Sequence, residues 1–343
     1  MKKISCIIPI YNVENYIEKC IMSIENQYTD DIEIIAVNDG TPDHSIDKIK
    51  SFPNVTIINK ANGGLSSARN EGIKHANGEY IWFIDGDDYI EDGAIKKLID
   101  VIDKNASDVI LFNYYKELDD KKTSIIENIN NYDKDRRLFI NTSACTKLFK
   151  RDFWNKNKLQ FHEGIIYEDL ALIPYVMLLT DEIAHLDDCL YTYVTRNNSI
   201  MKTKKFSTKK DDKFVALDDL KKYLTEKNIY YDNKEQYIYL TIRHLLIVYS
   251  TEIVEYGKDI YVKRFDDVNK VLNELNSNWI NNKYLIEQSF LKRTFVNLFR
   301  RRQYSLCKII INVMKGTGRI WYQRKSIIVG LVESHYQKWL KNV

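Results

Sequence analysis

At 343 residues, with 44% hydrophobic and 29% charged residues, the chain has the composition of an ordinary folded protein, which excludes a disordered or collagen-like one. A formal net charge of +3 is too small to argue for nucleic acid. The five cysteines (Cys6, Cys20, Cys145, Cys189 and Cys307) are odd in number and never spaced CxxC, which argues against a disulfide framework and a zinc site and fits a reducing cytoplasm.

The length allows one large core with an appendage, or two domains. Met1-Lys2-Lys3 leads into the apolar run Ile4–Ile10, which Pro9 interrupts and Tyr11-Asn12 ends. It is too short for a signal-peptide core and reads as the first strand. A helix is expected over Glu14–Glu25, with Ile17, Ile21 and Ile24 on one face, then a strand over Ile32–Val37 and a helix over Ser45–Ser51. Val55–Asn59 reads as a third strand, Leu65–Ala76 as a third helix and Tyr80–Ile84 as a fourth strand. Strands alternating with helices at this spacing imply a mostly parallel sheet covered by helices on both faces, with ligands at the carboxyl ends of the strands.

Beyond Asp88 the pattern continues with a helix over Asp92–Lys104 and an interior strand over Asp108–Tyr114. Lys116–Arg137 is polar and reads as a surface excursion. Ser143–Phe153, Phe161–Leu179 and Ile183–Val194 carry apolar patterns that complete the same domain. From about Met201 the character changes: Lys202, Lys204, Lys205, Lys209 and Lys210 open a charged stretch, and the remainder of the chain reads as helical with almost no glycine or proline. The expected organisation is therefore an α/β catalytic domain over 1–200 and a helical C-terminal domain over 201–343. No run approaches the roughly 20 apolar residues of a membrane span.

The chemistry gathers at strand ends. Asp85-Gly86-Asp87-Asp88 follows the apolar run Tyr80–Ile84 without a break. Three carboxylates within four residues repel one another, and a divalent cation relieves that repulsion while leaving coordination sites for phosphate oxygens. Gly86 would permit an unusual backbone geometry and close ligand approach. The competing reading is an acidic turn capping the helix near Asp92. Upstream, Val37-Asn38-Asp39-Gly40-Thr41-Pro42-Asp43 places Asp39 at another strand end, where it could accept from a nucleobase N–H, with Gly40 giving a tight turn and Asp43 capping the next helix. Gly63-Gly64 precedes the helix that carries Arg69 and could face an anionic group.

Ile8-Pro9-Ile10-Tyr11-Asn12, Val37-Asn38-Asp39-Gly40-Thr41, Gly64–Gly72 and Tyr80–Asp88 resemble, in order and spacing, the successive motifs of the family-two glycosyltransferases of GT-A fold, of the bacterial capsular, exopolysaccharide or cell-surface glycan type. The resemblance covers roughly the first 200 residues. It implies a GT-A (Rossmann-like) α/β domain, a nucleoside-diphosphate-sugar donor, Mn²⁺ or Mg²⁺, and inversion at the anomeric carbon. Carried over by position, it assigns Pro9, Tyr11 and Asp39 to the base, Arg69 to the neighbourhood of the nucleotide, Asp85 to the ribose and Asp87 to the metal. The family's aspartate at the position of Asp39 usually recognises uracil, so a UDP-sugar is the expected donor.

An acceptor hydroxyl needs a base, because it is a poor nucleophile until its proton is taken. The candidate pair is Glu168-Asp169, which with Thr146–Arg151 resembles the acceptor-side motifs of bacterial polysaccharide members. The resemblance makes Asp169 the base and Glu168 its supporting neighbour; an acidic pair at a helix N-terminus, favoured by the macrodipole, is the structural alternative. Tyr191–Met201 is similar to the family's closing loop, which assigns Arg196 and Ser199 to the leaving diphosphate. His162 and His185 are read as structural.

Between Glu287 and Glu333 there is no acidic residue but ten basic ones, interleaved with Phe295, Leu298, Phe299, Ile309, Ile310, Ile311, Ile320 and Trp321. This basic stretch, 291–327, reads as a binder of anionic membrane surface, against the alternatives of a packed helix with a basic outer face or an oligomer contact such as a homodimer. No nucleic-acid motif accompanies the charge. The expected activity is inverting transfer from a UDP-sugar to a hydroxyl of a glycan or lipid-linked oligosaccharide acceptor, by a cytoplasmic enzyme peripheral to the inner face of the cell membrane. A nucleotidyltransferase would need a glycine-rich basic loop after the first strand, where Tyr11-Asn12-Val13-Glu14 stands instead. An inactive sugar-nucleotide-binding scaffold is opposed by the intact Asp85, Asp87 and Asp169.

Overall fold

The computed structural model describes residues 2–127, 133–195 and 207–316. They form two compact units, Met1–Tyr237 and Ile238–Val343. The first is built on one sheet of mixed parallel and antiparallel strands. Its first half follows the sequence expectation: β1 (Ile4–Ile10), β2 (Ile32–Asn38), β3 (Val55–Asn59) and β4 (Tyr80–Phe83) are mutually parallel neighbours. All seven residues of β1 are buried, as required of a strand covered on both faces. The crossovers are α1 (Ile17–Glu25), α2 (Ser45–Ile49) and α3 (Leu65–His75). The first is shorter than expected because residues 13–16 make a turn in which the Val13 carbonyl accepts from Tyr16 and Ile17.

The second half of the sheet is mixed. After β5 (Tyr89–Ile90) and α4 (Ala94–Ile102), β6 (Val109–Leu118) turns back into β7 (Lys121–Ile125), so the expected polar excursion contains a hairpin. Asp119 and Asp120, at φ of 49° and 58°, form its two-residue turn, the geometry that suits the right-handed twist of paired strands. β8 (Lys147–Lys150) lies antiparallel between β4 and β6, followed by α5 (Arg151–Lys156), α6 (Glu168–Leu178) and β9 (Ile183–Val194), which is parallel to β6.

The first unit extends past the expected boundary near residue 200, because α7 (Asp212–Glu226) belongs to it. Tyr223 stacks on Tyr175 of α6 with ring centroids 5.3 Å apart, His162 pairs with Asp219, and the Ile166 N–H donates to Asp212. α8 (Lys234–Thr241) crosses the division.

The second unit is helical over its described residues: a π-helical turn at Ile242–Val248, α9 (Tyr249–Ile253), α10 (Lys258–Leu275), α11 (Lys283–Ile286), α12 (Phe290–Arg300) and α13 (Tyr304–Gly316). Phe265 of α10 meets Phe299 at 5.2 Å and Tyr304 at 5.1 Å between ring centroids. This corrects one expectation for the basic stretch. Phe295, Leu298, Phe299, Ile310 and Ile311, expected to enter lipid, are buried inside the unit, while Ile309 is exposed, as are Arg293, Arg300 and Lys308. Over its described part the segment is a packed pair of helices with a basic outer face. Ile320 and Trp321 lie outside the described residues.

Candidate active site

Because β2, β1 and β4 are parallel neighbours, the segments at their carboxyl ends emerge along one edge of the sheet. These carry Asp39, Tyr11 and Asp85 respectively. A fourth element reaches the same edge through an unusually close contact. A Cβ at Gly72 would lie 2.3 Å from the Ile7 Cγ2 and 3.2 Å from the Val37 Cγ2, so α3 can sit on the sheet only with glycine there. That seating buries Arg69, three residues earlier on the helix, to 1% exposure.

Arg69 is the centre of the site. Its Nη1 donates to Glu168 Oε1 and to Asp169 Oδ1, each at 2.9 Å, and its Nη2 donates to Asp85 Oδ1 at 2.9 Å. The guanidinium also lies over the rings of Phe161 and Phe83, 5.1 and 5.9 Å from their centroids. Phe83, Phe149, Trp154 and Phe161 pack together beneath it and give the ion pairs an apolar floor. The anions Arg69 faces are the protein's own carboxylates, because the helix seating aims it inward. One cation stands against three carboxylates, and the electrostatics show the excess. Burial, then the neighbouring Asp169, push Glu168 up to about 7 against the pull of Arg69. Burial also raises Asp169, opposed by Arg69 and by the Ala144 N–H that reaches its Oδ2 at 2.9 Å. Glu168 and Asp169 occupy the first turn of α6, so the helix macrodipole also favours them there.

The carboxylate turn separates into three roles. Asp85 is part exposed and tied to Arg69; its N–H donates to the Tyr191 hydroxyl at 3.2 Å. Asp88 points inward. Its Oδ2 accepts from Tyr191 at 2.6 Å and its Oδ1 from the Val194 N–H at 2.8 Å, and burial followed by Asp87 and Asp85 raises its pKa well above the usual range. It fastens the turn to β9. Asp87 is part exposed at the tip. Gly86 does not take a positive φ, and an added Cβ would lie 3.1 Å from the Pro9 carbonyl oxygen and 3.2 Å from Val13, so glycine there lets the turn sit close against the end of β1.

Asp39 sits in a separate nest. Its Oδ1 accepts from Lys60 Nζ at 2.6 Å and from the Gly63 N–H at 2.9 Å, and its Oδ2 from the Gly64 N–H at 2.7 Å. The anion that the glycine pair faces is therefore Asp39. Of the carboxylate's roughly four lone-pair positions, three are filled, leaving one on Oδ2. Gly40 makes the expected tight turn at φ 64°. Asp43 accepts from the Ser45 N–H and hydroxyl and the Thr41 hydroxyl; these bonds outweigh its burial and lower it to about 2. Pro9 is buried in β1, whereas Tyr11 is 47% exposed. Arg196 and Ser199 lie outside the described residues. Lys60, Tyr191 and the turn around Ala144 were missed by sequence reasoning, since a lone lysine, a tyrosine in a strand and a backbone N–H carry no local signature.

Among the described residues no group of three or more His, Cys, Asp or Glu side chains forms a metal cage. Nucleotide-bound Mg²⁺ or Mn²⁺ needs only one or two carboxylates, the phosphates completing its shell, and the part-exposed Asp85 and Asp87 fit that requirement. No described helix is long and apolar enough to cross a membrane.

Residues 5–155 match the glycosyl transferase family 2 profile. The uncharacterized glycosyltransferase EpsJ of Bacillus subtilis (strain 168) is 35% identical over 217 residues, 57% of this chain and 62% of that protein. The chain thus spans less than two thirds of EpsJ's length. The glycosyltransferase GlyG of Streptococcus pneumoniae serotype 4 is 32% identical over 224 residues, 58% of this chain and 73% of that protein. The structure of S. aureus TarS 1-349 in complex with UDP-GlcNAc superposes with a TM-score of 0.67 at 18% identity, covering 92% of each chain, which is a likeness of fold. With the GlyG match at that coverage, the chain belongs to glycosyl transferase family 2.

Proposed function

We propose that this protein transfers a sugar, with inversion, from a UDP-sugar to a hydroxyl of a glycan acceptor in surface polysaccharide synthesis. The observation that carries the reading is that one buried cation, Arg69, ties the carboxylate turn of β4 to the acidic pair of α6. It holds a donor-side and an acceptor-side carboxylate in one rigid unit, as a displacement between two substrates requires. The fold likeness to a TarS complex containing UDP-GlcNAc supports a UDP-sugar donor.

In this reading the exposed Tyr11 ring stacks on the base, the remaining lone pair of Asp39 accepts from a uracil N–H, Pro9 sets the end of β1 from which Tyr11 projects, and Asp85 lies near the ribose. A divalent cation held by Asp87 and the donor phosphates would offset the charge developing on the departing diphosphate. Asp169, about a fifth exposed, faces the acceptor with the second lone pair of each oxygen. It takes the hydroxyl proton as that oxygen bonds to the anomeric carbon and the bond to the UDP phosphate oxygen breaks. Glu168, more deeply buried, holds Arg69 in place. The exposed Arg293, Arg300 and Lys308 give the second unit a basic face that meets anionic lipid by charge, without insertion of the packed helices.

The test is UDP release with Mn²⁺ and acceptor present, screening UDP-glucose, UDP-galactose and their N-acetyl forms. One of them should turn over, and Asp169→Asn should lower that rate about 10²–10⁴-fold while leaving UDP binding intact. Release from none of the four, or an unchanged rate in the variant, would overturn the donor or the base respectively.

A further inference from the structure

Lys147, the first residue of β8, is a lysine at 1% exposure in a strand buried between β4 and β6. An ammonium has three hydrogens to donate, and all three find acceptors: the Asn141 carbonyl at 2.6 Å, the Ser143 carbonyl at 2.7 Å and the Thr146 hydroxyl at 3.2 Å. Burial works against the charge and lowers the group to about 8. The chain at 141–146 is wrapped round this cation, and two further bonds fix it, one within the turn and one from outside: the Asn141 side chain accepts from the Ser143 N–H at 3.1 Å, and the Asn141 N–H donates to Glu127 at 3.0 Å. What the wrapped turn presents on its other side is the active site. Ala144 gives its N–H to Asp169 Oδ2, the Cys145 carbonyl accepts from Trp82 Nε1 at 2.9 Å, and the Cys145 sulfur lies 3.7 Å from Arg69 Nη2.

We propose that Lys147 is a positioning residue for catalysis: its buried ammonium shapes the 141–146 turn so that the Ala144 N–H holds the Asp169 carboxylate in the orientation that receives the acceptor proton. The inference rests on the reading of Asp169 as base. The charged and titratable groups facing Asp169 are Arg69 from α3, Asp85 from the end of β4, Glu168 beside it on α6, Cys145 from the turn and Lys147 from β8. Arg69, the Ala144 N–H and the Lys147 charge each pull Asp169 down against its burial and against Asp85. Loss of Lys147 removes one of these directly and loosens another. A purely structural lysine would have no such signature in the pH profile.

The experiment uses the full chain and the donor that turns over in the UDP-release screen. Lys147→Met should lower kcat by about ten- to a hundredfold, the scale of a misplaced catalytic group, without raising the donor KM. It should also move the acid limb of the kcat profile to higher pH, because Asp169 has lost two of its lowering influences. Lys147→Gln, which keeps a donor for one carbonyl, should recover part of kcat and carries the test if the Met variant does not fold. A folded variant with unchanged kcat, or one whose acid limb stays in place, would overturn the proposal. Asp169→Asn separates the two failures: full activity there removes the base reading itself, whereas lost activity there beside an indifferent Lys147→Met removes only the role of Lys147.

Discussion

Two carboxylate nests stand at the same edge of one sheet and are built to opposite principles. Around Asp39, one carboxylate meets one lysine and two glycine N–H groups, so its charge is neutralised and three of its lone pairs are occupied. Around Arg69, one guanidinium serves three carboxylates over an aromatic floor, and burial, followed by the neighbouring carboxylates, raises Glu168 and Asp169 against the arginine's pull. The first nest is a neutral one, with a single lone pair of Asp39 left over. The second is a poised one, with acids whose affinity for protons lies nearer to neutral pH than that of ordinary carboxylates. That is what a base must offer if it is to accept a proton from a hydroxyl during transfer.

Removing each cation tests the contrast. Arg69→Met should destabilise the protein by about 3–5 kcal/mol, because buried carboxylates are left facing one another without a counter-ion. Urea unfolding at pH 8 would measure it, and a variant as stable as the parent would show that the nest stores no repulsion. Lys60→Met should cost less, about 1.5–3 kcal/mol, the worth of one hydrogen bond to a charged group. Lys60 is itself part exposed, and Asp39 keeps the Gly63 and Gly64 N–H bonds. Equal losses in the two variants would abolish the distinction.

The parallel half of the sheet was legible because strand, turn and helix alternate at the crossover spacing and each turn carries its own polar signature. The mixed half was less so. The turn of the β6–β7 hairpin is Asp119-Asp120, which takes positive φ at both positions without the glycine that usually advertises such a turn, and the surrounding lysines disguised an edge hairpin as a polar loop. The insertion of β8 between β4 and β6 is a long-range choice with no local trace. In the site, residue types at strand ends were readable, but their partners were not. That Arg69 points inward depends on how tightly Gly72 lets α3 approach Ile7, a contact between segments far apart in the chain. The burial of Phe295 and Phe299 likewise depends on α10 and α13, so an amphipathic basic helix looked the same whether its apolar face met lipid or protein.

The effect of pH is the most specific to the second nest. Glu168 has an ordinary pKa of 4.5 and about 7 in the folded protein, so between those values the folded chain binds a proton that the unfolded chain has released. A group with a raised pKa contributes stability that is fully present below its unfolded value and is lost as pH rises through the folded one. From pH 5 to pH 8 the parent should therefore lose stability through this residue. Glu168→Gln, of the same shape but without charge, should lack that component, so the variant's stability relative to the parent should rise with pH across the window. Asp169 and Asp88, also raised, remain in both proteins and leave a common slope. Asp43, lowered to about 2, has the opposite sign: its contribution is present above its ordinary 3.8 and is lost only as pH falls through 2, outside the range measured. Urea midpoints at pH 5 and pH 8 are sufficient. If the difference between variant and parent is the same at both, Glu168 is as ionised in the folded chain as in the unfolded one, and the account of burial and crowded charge in the Arg69 nest fails at its most buried carboxylate.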